Sequence, residues 1–320
     1  MLALLEVGAG MALLLGGGEA LVRGAVAIAR RLGVSPLLIG LTLVGYGTST
    51  PELVASLEAA IGGVPNVALG NVVGSNIANV LLILGAAVLL SPVRIEPRAF
   101  RRDAVALTVS ALAATALAAT GEVGRLAGLL LVGLLALYTF ETYRAERARP
   151  DEWGAILEAE GELKEGSRPL APGRAALFAV GGIVGVVVGA GLLIDGAVTI
   201  ARGLGVSELV IGLTLVAVGT SLPELATSLV AAWRGHTELA YGNVVGSNIY
   251  NLLGILGVTA LVSPLPVPPE LPRVDLPVML AATAALILFA LTGWRIGRRE
   301  GAALLAGYLL YLGWLFGALG

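Results

Sequence analysis

The feature that most constrains the fold of this chain is a repeat that returns at one fixed spacing. The phrase GTSTPE at positions 47–52 recurs as GTSLPE at 219–224, and GNVVGSNI at 70–77 recurs unchanged at 242–249. Ser91-Pro92 likewise recurs as Ser263-Pro264. Every match keeps the offset of 172 residues that separates Gly47 from Gly219, without a gap. The chain is therefore an internal duplication.

The repeated phrases lie inside apolar runs. The chain has 320 residues, of which 57% are hydrophobic and 13% charged, and a mean hydropathy of +0.91, which together exclude an ordinary soluble domain. The apolar runs are continuous over about 20 residues and do not alternate at period two, which argues against a transmembrane β-barrel. We predict an all-α polytopic membrane protein with ten transmembrane helices at 3–29, 36–61, 67–91, 103–120, 124–143, 174–201, 208–233, 239–262, 274–293 and 301–319.

The number of spans in each copy determines how the copies are related. Five is odd, so the second copy enters the membrane from the opposite side, and the two five-helix repeats have inverted topology. We predict an N-terminal repeat at 1–143, a linker at 144–173 and a C-terminal repeat at 174–320. Inverted repeats are typical of secondary transporters, in which discontinuous helices of the two halves form a site near the membrane midplane.

The basic residues indicate the orientation. Most of the Arg and Lys residues fall in alternate loops, including 94–102, 144–174 and 295–299. By the positive-inside rule these loops are cytoplasmic, so we expect a multi-pass cell-membrane protein with both termini outside and the 144–173 loop in the cytoplasm.

Polar residues gather where Gly and Pro interrupt spans two and seven. Ten of these residues are candidate metal ligands: Thr48, Ser49, Glu52, Ser75 and Asn79 in the first half, and Thr220, Ser221, Glu224, Ser247 and Asn251 in the second. All offer oxygen, which favours hard cations such as Ca²⁺ and Na⁺, and the breaks at Pro51 and Pro223 release backbone carbonyls as further ligands. Any one hydroxyl or amide could instead serve helix packing. Two carboxylates in matching phrases favour function, because they are costly within a membrane.

Other classes of function lack support in the sequence. Cys is absent and His236 is the one histidine, which excludes disulfides and thiolate sites and disfavours histidine metal sites. Nothing suggests a nucleophile–base pair or a nucleotide loop, so we expect no enzyme, no cofactor and no nucleic-acid partner. The expected partners are Ca²⁺, Na⁺ and the lipid bilayer, with the monomer as the functional form. Arg23 and Asp195 hold equivalent places in spans one and six, and we expect them to form an ion pair if those spans meet.

The phrases GTSTPE and GTSLPE, followed by GNVVGSNIAN and GNVVGSNIYN, resemble the two α-repeats of the sodium/calcium exchanger family, within the cation/calcium antiporter superfamily. The resemblance implies that Glu52 and Glu224 are the central calcium ligands and that Asn79 lines the centre of the site. It also implies that spans one and six slide as a pair past the other eight. Hydroxyls would complete the calcium and sodium positions, from Thr48, Ser49, Ser75, Thr220, Ser221 and Ser247.

One position departs from the family pattern. The family usually carries Asp where this chain has Asn251, so the site has two carboxylates, a charge that one Ca²⁺, two Na⁺ or two H⁺ would balance equally. The leading interpretation is a Ca²⁺/Na⁺ antiporter that works by alternating access, and Ca²⁺/H⁺ antiport is the alternative. A cation channel or a non-transporting cation sensor is a third interpretation, against which the inverted repeat argues.

Overall fold

Helices make up most of the chain in the computed structural model, which describes residues 2–147, 170–204, 219–268, 271 and 273–319. Most of the predicted 144–173 linker and the first part of the predicted span at 208–233 lie outside the described residues. In chain order the helices are α1 (Leu2–Leu32), α2 (Pro36–Ile39), π1 (Gly40–Val44), α3 (Gly45–Thr48), α4 (Thr50–Ile61), α5 (Pro65–Ala78), π2 (Asn79–Leu84), α6 (Gly85–Leu90), α7 (Pro97–Ala118), α8 (Arg125–Arg147), α9 (Pro172–Gly203), α10 (Leu222–Trp233), α11 (Thr237–Ile249), π3 (Tyr250–Ile255), α12 (Leu256–Val262), α13 (Asp275–Leu291) and α14 (Arg298–Leu319).

These helices coincide with the ten predicted spans, the seventh from residue 219 onward, which confirms the all-α membrane fold. Within the described residues, five continuous helical stretches are by themselves long and apolar enough to cross a membrane: Leu2–Leu32, Pro65–Leu90, Arg125–Glu146, Pro172–Gly203 and Thr237–Val262. The third and eighth spans are the most enclosed, with 78% and 83% of their apolar windows buried by protein. Because these spans carry four of the predicted ligands, those side chains are screened from lipid.

The chain forms two compact units, and each takes segments from both repeats. The first unit comprises Met1–Thr48 and Tyr138–Asn243, and the second comprises Ser49–Leu137 and Val244–Gly320. The first boundary falls inside the phrase GTSTPE. Thr48 therefore belongs to one unit and Ser49, the next residue, to the other.

In the first unit, α1 and α9 pack against each other through glycines. Added Cβ atoms on Gly10, Gly17 and Gly24 would lie 2.6, 2.7 and 2.4 Å from backbone nitrogens of α9, at Leu193, Val186 and Ala179 in that order. Positions on α9 fall as positions on α1 rise, so the helices are antiparallel, as inverted repeats require. The three glycines are seven residues apart, which places them on one helix face. Because glycine has no side chain, the two backbones come into direct contact at these three positions.

The second unit contains two short strand pairs that connect loops distant in sequence. β1 (Val93–Arg94) pairs antiparallel with β4 (Arg295–Ile296), and β2 (Glu122–Val123) pairs antiparallel with β3 (Leu265–Pro266). The first pair joins the loop after span three to the loop after span nine. The second joins the loops after spans four and eight. In a ten-span chain each pair lies on one side of the membrane, so the strands agree with the predicted parity.

Candidate cation-binding residues

Both predicted breaks have the same local geometry. Helix α3 ends at Thr48 and α4 begins at Thr50, with Ser49 between them at φ −82° and ψ 12°. In the second repeat Ser221 precedes α10 at φ −90° and ψ 7°. Both serines adopt the sparsely populated bridge conformation of the backbone. Each is followed within two residues by a proline, which suits the first turn of a helix because the backbone nitrogens there have no acceptor within the helix and proline has no N–H. In the first repeat the phrase therefore ends one helix and starts another, and in the second repeat it starts α10, as predicted from the sequence.

Each break places a glutamate in the first turn of the new helix. Glu52 in α4 and Glu224 in α10 are each 1% exposed. The positive end of a helix dipole favours a carboxylate at this place by about 0.3–1 kcal/mol, which offsets only part of the cost of burying an ionised group. Both carboxylates thus lie where a bound cation would stabilise them strongly.

In the second unit, Asn71 on α5 connects Glu52 to the neighbouring span. Its Nδ2 donates to the Glu52 carbonyl oxygen at 3.0 Å and to the Ser56 hydroxyl oxygen at 2.9 Å. These acceptors are four residues apart, so they lie on one face of α4. The carboxamide therefore spans one turn of the helix that carries the glutamate.

In the first unit, Asn243 makes the equivalent contacts on α10 and one more. Its Nδ2 donates to the Glu224 carbonyl oxygen at 3.3 Å and to the Ser228 hydroxyl oxygen at 2.9 Å. Its Oδ1 lies 3.2 Å from the hydroxyl oxygen of Thr48, which donates there or to the Val44 carbonyl oxygen at 3.0 Å. Asn243 therefore links predicted ligands from both repeats.

Two predicted amide ligands lie at irregular turns of spans three and eight. Asn79 begins π2 and Asn251 is the second residue of π3, and each is 1% exposed. Asn79 donates from Nδ2 to Asn248 Oδ1 at 3.0 Å, whereas its Oδ1 and both amide atoms of Asn251 have no hydrogen-bond partner within the described part of the chain. The π-turns are common at functional sites because an extra residue redirects the side chains.

The remaining hydroxyl groups of the candidate set are also enclosed. Ser49 and Ser247 are fully buried, Ser75 and Ser221 are each 5% exposed, and Thr220 is half-buried. The Thr220 hydroxyl oxygen is buried and accepts or donates no hydrogen bond among residues that the structure describes. Among those same residues no three His, Cys, Asp or Glu side chains gather as a metal cluster. The candidate donors in each unit are thus one carboxylate and several neutral oxygens, which suits a hard cation.

The contacts of Asn71 and Asn243 with the two broken helices were not predicted from the sequence. Asn71 and Asn243 were available as a signal, because both belong to the phrase that recurs unchanged and both are amides in apolar spans. Their partners could not be identified from sequence, since Ser56 and Ser228 lie 15 residues earlier on a different helix.

The expected ion pair between Arg23 and Asp195 is not formed. Arg23 Nε instead contacts Glu19 Oε1 in its own helix at 2.5 Å, and the second oxygen of Glu19 contacts Arg234 Nε at 2.7 Å. The antiparallel register keeps Arg23 and Asp195 apart, because Gly24 of α1 lies against Ala179 of α9 whereas Leu193 lies against Gly10. The i, i+4 spacing gives Arg23 a partner one turn away in Glu19.

A sequence model described as "Sodium/calcium exchanger protein" matches residues 2–143 and 174–317 of the chain. The sodium/calcium exchanger MaX1 of Methanosarcina acetivorans is 37% identical over 341 aligned positions, covering 96% of each chain. The inner membrane protein YrbG of Escherichia coli is 34% identical over 316 positions, with 96% of this chain and 94% of that protein covered. Among solved structures, the sodium-calcium exchanger NCX_Mj soaked with Na⁺ and Ca²⁺ superposes with a TM-score of 0.84 at 33% identity, covering 98% of both chains.

Proposed function

The chain belongs to the sodium/calcium exchanger family, and from this membership together with its buried glutamates we infer that it is a Ca²⁺/Na⁺ antiporter. Transport would proceed by alternating access, with the ions bound in turn by oxygen ligands at the two broken helices. The observation that carries this proposal is the burial of Glu52 and Glu224, each 1% exposed, in the first turn after a helix break.

The charges of the two carboxylates determine which ions can replace each other during exchange. Two ionised glutamates carry two negative charges, which one Ca²⁺ or two Na⁺ would neutralise. A conformational change that moves ionised carboxylates through the membrane interior is costly unless bound cations balance their charge. A protein with bound ions therefore changes conformation readily, and an empty one does not. Calcium and sodium are thereby coupled, because each serves as the required counter-ion for the return step.

We propose the ten predicted residues as the ion ligands, with distinct contributions. Glu52 and Glu224 provide the charge, and the amide oxygens of Asn79 and Asn251 provide neutral donors. The hydroxyls of the Ser and Thr residues complete the coordination, namely Thr48, Ser49, Ser75, Thr220, Ser221 and Ser247. Because one chain supplies all of these groups, we propose that the monomer is the functional form.

Replacement of either glutamate by glutamine tests the assignment. In vesicles reconstituted with Glu52→Gln or Glu224→Gln protein, we expect sodium-driven ⁴⁵Ca²⁺ uptake to fall by at least about 100-fold, since the site would lose half of its charge. Glu58→Gln on α4 is a matched control, because Glu58 is outside the candidate set, and it should retain uptake. Normal exchange in both site variants would overturn the proposal.

The neutral side chain of Asn251 favours one second candidate, Ca²⁺/H⁺ antiport. Two carboxylates could take up two protons in place of two sodium ions, and both amides lack a charge that would select for sodium. Calcium uptake driven by a pH gradient in sodium-free vesicles would support this alternative. Uptake that requires sodium at every pH gradient would exclude it.

A further inference from the structure

Two equivalent carboxamides outside the candidate ligand set contact the backbone of the residues that supply the charge. Asn71 Nδ2 lies 3.0 Å from the Glu52 carbonyl oxygen, and Asn243 Nδ2 lies 3.3 Å from the Glu224 carbonyl oxygen. Both are on the span that follows the broken helix. The same contact thus occurs once in each compact unit, formed by the same residue types at the same separation of 19 residues.

The NH₂ group of each carboxamide donates two hydrogen bonds to a single turn of the neighbouring helix. One contact is the glutamate carbonyl, and the other is the hydroxyl of Ser56 or Ser228, at 2.9 Å in both units. Because these acceptors are one turn apart, the two hydrogen bonds together fix the rotation of the helix about its own axis. That rotation decides where a side chain in the first turn points.

We propose that Asn71 and Asn243 are positioning residues that set the direction in which Glu52 and Glu224 present their carboxylates to the transported cation. The inference rests on the proposed function, because it concerns the geometry of the same ion ligands. Binding sites require their donors to be held within about 0.5 Å of the productive arrangement, and a helix that rotates freely after a break cannot do so. A neutral amide suits this task, since it restrains the backbone without adding charge near the site.

The two amides are not equivalent in every contact. Asn243 is fully buried and its Oδ1 also lies 3.2 Å from the Thr48 hydroxyl, whereas Asn71 is half-buried. Asn243 therefore orients a candidate ligand from the first repeat in addition to the turn of the second. Replacement of Asn243 should accordingly weaken calcium binding more than replacement of Asn71.

The test uses Asn71→Leu and Asn243→Leu, which keep the side-chain size and remove the donors, in the full-length protein in vesicles. We expect the calcium concentration for half-maximal uptake to rise about tenfold for Asn71→Leu, which loses two hydrogen bonds, and further for Asn243→Leu, which also loses the contact with Thr48. Asn76→Leu is the matched control. Asn76 is a buried amide on the same helix, and its Nδ2 donates to the Val72 carbonyl oxygen one turn earlier at 2.7 Å, so uptake should stay within twofold of the original.

A second readout separates positioning from general stabilisation. A ligand that binds only the folded state raises the melting temperature, and raises it more the more tightly it binds, so a misplaced carboxylate reduces the calcium-induced rise. A lower melting temperature without calcium, combined with an unchanged calcium-induced rise, would show a purely structural role and overturn the inference. If a leucine variant is not recovered as monodisperse protein, Asn71→Thr and Asn243→Thr remove the same amide donors and carry the same expectation.

The results also distinguish a failure of the positioning role of Asn71 and Asn243 from a failure of the proposed antiporter function. If Glu52→Gln abolishes exchange while the asparagine variants keep the original half-maximal concentration, the positioning role is wrong and the antiporter assignment stands. If exchange survives both glutamine variants, the proposed function itself fails.

Discussion

The contact between α1 and α9 gives a sharp prediction, because neighbouring glycines on α9 differ completely in their surroundings. A Cβ added to Gly182 would lie 2.4 Å from the Leu21 nitrogen and 2.6 Å from the Leu21 Cα, whereas nothing lies within 4 Å of one added to Gly181. The obstructing atoms at Gly182 belong to the backbone and cannot rotate away. We therefore expect Gly182→Ala to push α1 and α9 apart and Gly181→Ala to leave them in place.

The magnitude follows from the difference between the two variants. Non-bonded carbon atoms prefer separations of about 3.5–4.0 Å, so the helices must separate locally by about 1 Å at Gly182. Overpacking of this kind costs about 1–3 kcal/mol. Alanine also gains about 1 kcal/mol over glycine in helix propensity, but both variants share that gain, so it cancels. Gly182→Ala should be less stable than Gly181→Ala by about 1–3 kcal/mol.

Thermal unfolding in detergent, followed by the fluorescence of the native tryptophans, measures this difference. A second pair on α1 repeats the comparison, because a Cβ on Gly17 would meet the Val186 nitrogen at 2.7 Å and one on Gly16 would meet nothing within 4 Å. Equal melting temperatures within both pairs would refute the close approach of the two backbones. Such an approach along several turns also favours motion of α1 and α9 as one body, so we expect Gly182→Ala to slow exchange more than Gly181→Ala.

Two further predictions address ion coupling and topology. Asn251→Asp should change the number of Na⁺ exchanged per Ca²⁺, because it adds a third negative charge to the candidate ligands; an unchanged ratio in reconstituted vesicles would show that this position does not set coupling. Because the chain has no cysteine, single cysteines introduced at Leu2 and at Gly320, outside the first and last predicted spans, can report the side of each terminus. Both should react with a membrane-impermeant maleimide added to whole cells, and protection of either would contradict the outward orientation predicted from the basic loops.

Much of the fold could be predicted because its causes are local. Apolar length determines the spans, and the Gly47-to-Pro51 phrase predicts a break that the structure has between Thr48 and Thr50. The inverted relation follows from counting spans in a gapless repeat. The π-turns could not be predicted, since a single inserted residue such as that at Asn79 leaves the apolar pattern of the span unchanged.

The contacts between segments distant in the chain could not be predicted from the sequence either. Two equivalent charges suggested that Arg23 pairs with Asp195, but geometry within α1 favoured Glu19, whose spacing from Arg23 was equally visible in the sequence. The strand pair between Val93 and Ile296 has no signature in two-residue strands. Long-range partners depend on how helices pack, which residue periodicity does not encode.

The amides of spans three and eight connect the buried geometry to the charge of the transported ions. A buried polar atom without a hydrogen bond costs about 1–3 kcal/mol, and Asn79 Oδ1 and both amide atoms of Asn251 are such atoms within the described residues. Proteins retain such atoms at few places. In the proposed site, a cation bound by both Oδ1 atoms would recover that cost, whereas the Asn251 Nδ2 cannot bind one. An aspartate would offer a second oxygen there and a charge. With an amide at Asn251, the proposed site has Glu52 and Glu224 as its two charges, and our proposal is that one divalent ion or two monovalent ions balance them in turn.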